Sequence, residues 1–302
     1  MKKLLVIGGT GFIGYHVIKE AKKRKWNVTS ISLGKPKKKR FHTNVNYKQA
    51  DIADYNSLKK KISGNYDFVV NAGGYGKHPD FNRSGKRLFD SHFLGLINLV
   101  KILLKKKRLK KFIQIGSSAE YGKTKSPQIE NSKCIPNTPY ALAKFSCTNF
   151  LQNFYQINDF PATILRFFLV YGSNQDKNRI LPQVIENCLK NRKFPTTKGE
   201  QYCDFCFIDD AVKAIFKTLV YKKTNGEIIN IGSGKPIQIK KMINLVQKLI
   251  GKGKPQYGKL KYKKETNMNL YPDIKKAKRT IGWYPKTKFI QGLKLTIATY
   301  NK

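Results

Sequence analysis

The chain has 302 residues, 40% of them hydrophobic, enough to bury a sizeable core in one large domain or two modest ones and too many for a disordered, collagen-like or coiled-coil chain. Lys and Arg number 60 against 18 Asp and Glu, a formal net charge of +42. Such an excess can mark a nucleic-acid binder, but only nine of the 60 are Arg and the lysines are spread along every segment, so nucleic acid is set aside as a partner.

No apolar run approaches the roughly 18 residues of a membrane span, and the apolar start, Leu4-Leu5-Val6-Ile7, runs straight into Gly8, too short for a secretion signal; the protein reads as cytoplasmic, with no membrane partner. Residues 4–7 form an unbroken apolar run, as expected of a strand buried on both faces. Residues 12–24 carry helical spacing through Phe12, Ile13, Val17, Ile18 and Ala21. Strands follow at 27–33 and 45–48, then a helix at 55–62 with Asp54 as N-cap, a strand at 67–72, a long helix at 86–106 and a strand at 112–116. A helix at 140–156, strands at 162–169 and 227–231, and short helices at 239–250 and 289–300 complete the pattern. The alternation predicts an α/β fold, a doubly wound parallel-sheet Rossmann domain. After Gly232, Pro, Gly and Lys become frequent, which points to a smaller C-terminal substrate domain. The boundaries expected are 1–172 with 204–233 for the dinucleotide-binding domain and 173–203 with 234–302 for the substrate domain.

Five cysteines without a secretion signal argue for reduced thiols. Cys203 and Cys206 form a C-x-x-C that is read as two residues of one strand, and His16, His42, His78 and His92 make no metal-type spacing. No metal is expected.

The glycine run Gly8-Gly9-Thr10-Gly11-Phe12-Ile13-Gly14 follows a strand and opens a helix, the context in which a dinucleotide fingerprint has meaning. Glycines there serve a tight turn, close approach of pyrophosphate to backbone, and helix–strand packing; the helix N-terminus faces the phosphate. The acid that would hold a ribose 2′-hydroxyl about 20 residues on is missing: strand two ends Ser30-Ile31-Ser32-Leu33, followed by Lys35, Lys37, Lys38, Lys39 and Arg40. A 2′-phosphate would meet a hydroxyl and cations, which favours NADP, with NAD as the alternative. The second constellation is Tyr140-Ala-Leu-Ala-Lys144. Residues four apart share a helix face, and a tyrosine exchanges protons near neutral pH only with a cation close by. Ser117 and Ser118 end a strand at the sheet edge where such folds bind ligands.

With these motifs the chain resembles the extended short-chain dehydrogenase/reductase family, in its NAD-dependent epimerase/dehydratase group of nucleotide-sugar enzymes, over nearly its whole length. Gln49 to Asp54 look like that family's adenine-contacting segment, placing Asp51 and Ile52 at the cofactor. Ser117 to Gly122, Arg166 to Gly172, Asp204 to Asp210, Asn230 to Gly234 and Gly282 to Pro285 match later landmarks in order. The resemblance implies Tyr140 as acid/base, Lys144 as its partner and ribose anchor, Ser117 as a carbonyl hydrogen-bonder, a nucleotide-sugar substrate and a homodimer. Several residues depart from the pattern: His92 and Leu169 stand where the family often has Asn, and Cys203 where it often has a diphosphate-binding Arg. His92, Leu169, Ser118 and the pair Lys263 and Lys264, which stand where a second such Arg is common, are the candidate substrate contacts; with Arg missing at Cys203, the diphosphate needs another cation. Dehydratases follow the hydroxyl residue with Asp-Glu; here Ser118 and Ala119 follow Ser117, and Glu120 reads as structural.

The reading favoured on these residues is NADPH-dependent reduction of a nucleotide-linked 4-keto-6-deoxy sugar. The alternative is an NAD-dependent nucleotide-sugar C4-epimerase, and a further one a non-catalytic NAD(P)- or RNA-binding relative.

Overall fold

The computed structural model describes residues 1–76 and 81–300; His78 lies outside the described residues. The chain runs through β1 (Lys3–Ile7), α1 (Phe12–Lys23), β2 (Asn27–Ser32), β3 (Asn46–Gln49), α2 (Tyr55–Lys61), β4 (Phe68–Asn71), α3 (Lys86–Phe89), α4 (Gly95–Leu103), β5 (Lys111–Ser117), α5 (Pro139–Asn158) and β6 (Ala162–Phe167). There follow β7 (Leu169–Tyr171), α6 (Ile180–Leu189), β8 (Lys193–Pro195), β9 (Tyr202–Cys203), β10 (Phe205–Phe207), α7 (Ile208–Val220) and β11 (Ile228–Ile231). The last elements are β12 (Ile237–Gln238), α8 (Ile239–Ile250), β13 (Lys254–Gln256), β14 (Asn269–Leu270), α9 (Lys275–Ile281) and α10 (Phe289–Ile297).

Seven strands form one parallel sheet in the order β11-β6-β5-β4-β1-β2-β3. This is the doubly wound Rossmann architecture, and its order reverses between β1 and β4, which opens a crevice at their carboxyl ends. The unbroken apolar run of β1 has a simple cause. Successive side chains point to opposite faces, so Leu4 and Val6 enter one core with α1 and α7, while Leu5 and Ile7 enter the other with α2, α4 and α5. The expected N-cap is present: Asp54 Oδ1 accepts the Ser57 N–H at 3.0 Å.

Four features depart from the sequence reading. The strand expected at 162–169 breaks at Phe168; β7 leaves the main sheet and pairs with β10. Cys203 and Cys206 lie in separate strands, β9 and β10, split at Asp204, whose buried carboxylate accepts hydrogen bonds from Ser233 N and Oγ. Helices α6 and α7 were not expected; α7 buries Ile208, Ala211, Val212, Ile215 and Leu219 along one stripe. The helix expected at 86–106 runs from Lys86 to Leu103, set off from the preceding turn by Ser84 at φ +156, and its residues Asp90–Leu94 wind as a π-helical turn.

The tail is stapled to the sheet by α7. Trp283 is buried and donates from Nε1 to Asp210 O at 2.9 Å, and Asp210 Oδ2 accepts from Lys286 N and Thr287 N. Among the described residues, no helix is long and apolar enough to cross a membrane.

Candidate active site

The cleft along the carboxyl edge of the sheet has two arms that share Gly11, Ala72, Gly73, Gly74, Tyr75 and Gly76. The first arm, about 340 Å³, is walled by Gly8, Thr10 and Gly11 on one side and by Ser32, Asp51 and Ile52 on another. Gly14 lies behind it in the first turn of α1, where a Cβ would run into the Gly8 carbonyl oxygen and come within 2.6 Å of Gly9 Cα; the helix can approach the strand turn this closely only without a side chain. Gly11 is the N-cap of α1 and no side chain caps its first turn, which leaves N–H groups for an anion. The loop forms a cradle fitted to the pyrophosphate of a dinucleotide. Ser32 Oγ accepts the Thr10 N–H at 3.3 Å, so the hydroxyl that ends β2 also holds the glycine loop. Asn98 donates to the carbonyls of Ile52 and Ala53 and fixes the segment after Asp51.

Two of the basic residues after β2 do not face this arm as expected. Lys35 is exposed and lines an adjoining recess with Lys48, Lys60 and Lys61, joined to the arm at Thr10 and Gly34. Arg40 is buried and spent on protein atoms, described below.

The second arm, about 600 Å³, is lined by Phe12, Ile13, His92, Ser117, Ser118, Tyr140, Lys144 and Leu169. Helix α5 begins at Pro139 behind the N-cap Thr138, whose hydroxyl accepts from Ala141 N at 3.1 Å; this fixes Tyr140 in the first turn, beside the cleft. Lys144 is buried one turn on, and its Nζ donates to Ile115 O at 2.9 Å and stands 5.9 Å from the centre of the Tyr140 ring. Ser117 caps the short turn Ser118–Tyr121: its Oγ accepts from Ala119 N, while Glu120 Oε1 accepts from Ser117 N. That leaves the Ser117 O–H to donate to an oxygen in the cleft. Glu120 is fully buried and pairs with Arg166 at 2.7 Å, with Thr148 donating to the same oxygen; it braces the site from behind.

The π-helical turn carries His92 into this arm. Its ring meets Tyr140 edge-on at 5.5 Å, and Nε2 lies 3.3 Å from Tyr75 O. Gly74 makes the room, since a Cβ there would fall on the imidazole, and it holds φ +134. π-turns of this sort recur at functional sites.

Lys263 and Lys264, expected at the substrate, are both exposed around a turn closed by Thr266 N to Lys263 O, and neither lines the cleft. The turn is held off by Asn267, which donates to Gly122 O. Asn178 and Arg179, at the start of α6, line the arm instead. Cys203 is buried, and burial pushes its thiol up to about 12, as it does that of Cys147, so both stay protonated near pH 7. Among the described residues no group of three His, Cys, Asp or Glu could hold a metal. Sequence reading missed the floor Gly73-Gly74-Tyr75 and the cation Arg179. The first had a signal, a glycine pair closing β4 after Asn71, which accepts from Gly73 N; the second had none.

A parallel sheet with its crevice at the β1/β4 reversal, a glycine loop and a Tyr-x-x-x-Lys helix on one cleft define an extended short-chain dehydrogenase/reductase. The sequence profile of the NAD dependent epimerase/dehydratase family matches residues 4–232, and the chain belongs to that family of enzymes. It is 27% identical over 301 residues to a putative UDP-glucose 4-epimerase of Methanocaldococcus jannaschii, covering 97% of each chain. It is 28% identical over 319 residues to the dTDP-D-glucose 4,6-dehydratase of Homo sapiens, covering all of this chain and 90% of that one. The crystal structure of the Thermotoga maritima UDP-glucose 4-epimerase with UDP-glucose superposes with a TM-score of 0.92 at 25% identity, over 99% of this chain and 98% of that one.

Proposed function

We propose that the chain is a nucleotide-sugar 4-epimerase that acts on a UDP-linked hexose and keeps NAD in the first arm. The observation that carries this reading is the shared cleft: Tyr140, Lys144 and Ser117 line the arm that opens onto the glycine loop. The Thermotoga maritima structure is a UDP-glucose 4-epimerase and the Methanocaldococcus jannaschii relative is named a putative one, which supports the epimerase over the 4-keto-6-deoxy-sugar reductase expected from sequence. The dehydratase relative is the weaker guide, because Ser118 and Ala119 occupy the positions of the acid pair that eliminates water.

In this reading the sugar C4 hydroxyl gives its proton to Tyr140, with the buried Lys144 ammonium facing the tyrosine and the nicotinamide ribose. The Ser117 O–H donates to the C4 oxygen throughout. NAD, held at the glycine loop with Ser32, Asp51 and Ile52 beside it, would supply the hydride acceptor and donor for C4. Inversion requires the keto sugar to present its other face before the hydrogen returns, so the sugar turns while its diphosphate stays anchored. Arg179, with the N-terminus of α6 beside it, is proposed as that anchor, in place of the Arg that Cys203 lacks. The substrate part is proposed as 173–203 with 234–302, and the cofactor part as 1–172 with 204–233. A cytoplasmic homodimer is proposed; Leu94 and Leu142, exposed on the α4 and α5 side, offer apolar surface for it.

One observation keeps NADP as a second reading: β2 ends in Ser32 with no carboxylate. Extracting the cofactor from purified protein decides between NAD and NADP. For the reaction, UDP-glucose is incubated with the enzyme without added reductant and followed by ¹H NMR. The epimerase reading expects UDP-galactose to accumulate to equilibrium. No conversion of UDP-glucose or UDP-N-acetylglucosamine, with NADPH-dependent reduction of a 4-keto sugar instead, would return the reductase.

A further inference from the structure

Arg40 closes the short turn Lys38–Arg40 in the basic loop, yet it is 4% exposed and points at protein. Its Nη1 donates to Thr10 O at 3.3 Å. Nε donates to Asn174 O at 3.1 Å, and Nη2 donates to the same carbonyl and, at 2.8 Å, to Asp176 Oδ1. Thr10 belongs to the glycine loop and lines the cofactor arm; Asp176 lines the substrate arm with Gln175, Asn178 and Arg179. One guanidinium therefore ties the two walls together. A second tie runs beside it: His16, buried in α1, sits with Nε2 2.9 Å from Ser173 O. A carbonyl only accepts, so Nε2 carries the hydrogen. Between these ties Asn174 holds φ +61, a left-handed backbone, and its carbonyl is the one that receives two guanidinium N–H groups.

A buried cation is a costly way to gain stability alone, since a well-packed apolar side chain often does as well. What the guanidinium offers here is a planar fork of donors at fixed angles, able to bond three oxygens on two segments at once. We propose that Arg40, backed by His16, is a positioning clamp that fixes segment 173–176 against the glycine loop. It thereby sets where α6 begins, and so where Arg179 meets the nucleotide sugar relative to the bound cofactor. The clamp rests on the nucleotide-sugar reading above for its ligand, though not for its structure.

The test compares Arg40→Gln, Arg40→Lys and Asp176→Asn with the parent, using UDP as probe in the presence of saturating NAD. Three quantities are read: the UDP dissociation constant, the NAD dissociation constant, and amide hydrogen exchange at 173–179. In Arg40→Gln, exchange at 173–179 should quicken at least tenfold and UDP should bind at least tenfold more weakly. NAD affinity should stay within about threefold, because the loop keeps Gly11 N to Gly8 O and Thr10 N to Ser32 Oγ. Arg40→Lys should recover part of both losses, and Asp176→Asn should show about a threefold loss. A lower melting temperature with unchanged UDP affinity and unchanged exchange would make Arg40 merely structural and overturn the proposal. If Arg40→Gln does not fold, Arg40→Lys and Asp176→Asn decide it by the same readings. If the parent binds no UDP, the substrate reading falls, while the exchange of 173–179 still shows whether the clamp holds.

Discussion

The two arms of the cleft are built by different means. The cofactor arm is rich in glycine, with Gly8, Gly11, Gly34, Gly73, Gly74 and Gly76 from the turn after β1 and the ends of β2 and β4, joined by the segment after β3 and by Arg87, Asp90 and Ser91. The substrate arm draws on many separate elements: Ser117 ends β5, Tyr140 and Lys144 stand on α5, and His92, Leu169, Asn178 and Arg179 come from shorter elements and connections. Recognition by backbone leaves a mark in sequence, because close approach dictates glycine at fixed spacing. Recognition by side chains leaves single residues, each free to be replaced when another can reach the same ligand. The contrast explains why the glycine loop keeps the family pattern while His92, Leu169 and Cys203 depart from it.

The largest effect expected lies where the arms meet. Tyr140→Phe keeps the ring and its edge contact with His92 but removes the transferable proton, and should lower turnover by about 10²–10⁴. Lys144→Ala should cost at least as much and also weaken cofactor binding, which Tyr140→Phe should not. Ser117→Ala should be milder, because Ser118 stands next to it in the cleft. Steady-state kinetics with direct cofactor titration separates the three; equal damage in all would deny them distinct roles.

The next effect concerns the tie between arms. Burial, partly opposed by the Ser173 carbonyl, lowers the His16 pKa from 6.5 to about 4. The unfolded chain takes up this proton below about pH 6.5 while the folded chain refuses it until about pH 4. Stability is thus complete above pH 6.5 and is lost as pH falls toward 4, by about 3 kcal/mol at most. His16→Gln should flatten that part of the melting temperature profile; an identical profile in both proteins would remove His16 from the account.

How much of this was legible follows from the same contrast. The run Leu4–Ile7, the glycine loop, the Asp54 cap and the Tyr140/Lys144 pair rest on local rules, and each lies where the sequence suggests. Helix α7 was hidden by the aromatic run Phe205–Phe207 that leads into it, and the break at Asp204 needs Ser233, 29 positions away. Arg40 looked like a phosphate ligand because its neighbours are lysines; its partners Asn174 and Asp176 lie 134 and 136 positions on. Glu120 braces the site as its sequence position suggests, whereas Arg166, Asp210 and Trp283 turn out to brace the site or the tail, which sequence alone does not separate from chemistry.

Smaller effects sharpen the comparison within the substrate arm. Arg179→Ala should raise the Michaelis constant for the nucleotide sugar about tenfold, about 1.4 kcal/mol by the usual conversion. Reversing the charges of Lys263 and Lys264 together should change it by less than about twofold. The opposite order would restore the lysine pair as the diphosphate site. On the cofactor arm, Ser32→Asp should lower NADP affinity severalfold by repelling the 2′-phosphate and leave NAD bound at least as well; cofactor titration checks this, and unchanged NADP binding would detach Ser32 from the ribose.

The central claim is that one bound cofactor removes and returns the same hydrogen while Tyr140 holds the proton. It is tested most directly with UDP-glucose deuterated at C4, incubated with the enzyme in ordinary water and without added cofactor. The account predicts UDP-galactose that retains the deuterium at C4, and no product from Tyr140→Phe on the same timescale. Product that has exchanged its C4 label for solvent hydrogen, or undiminished conversion by Tyr140→Phe, would contradict it.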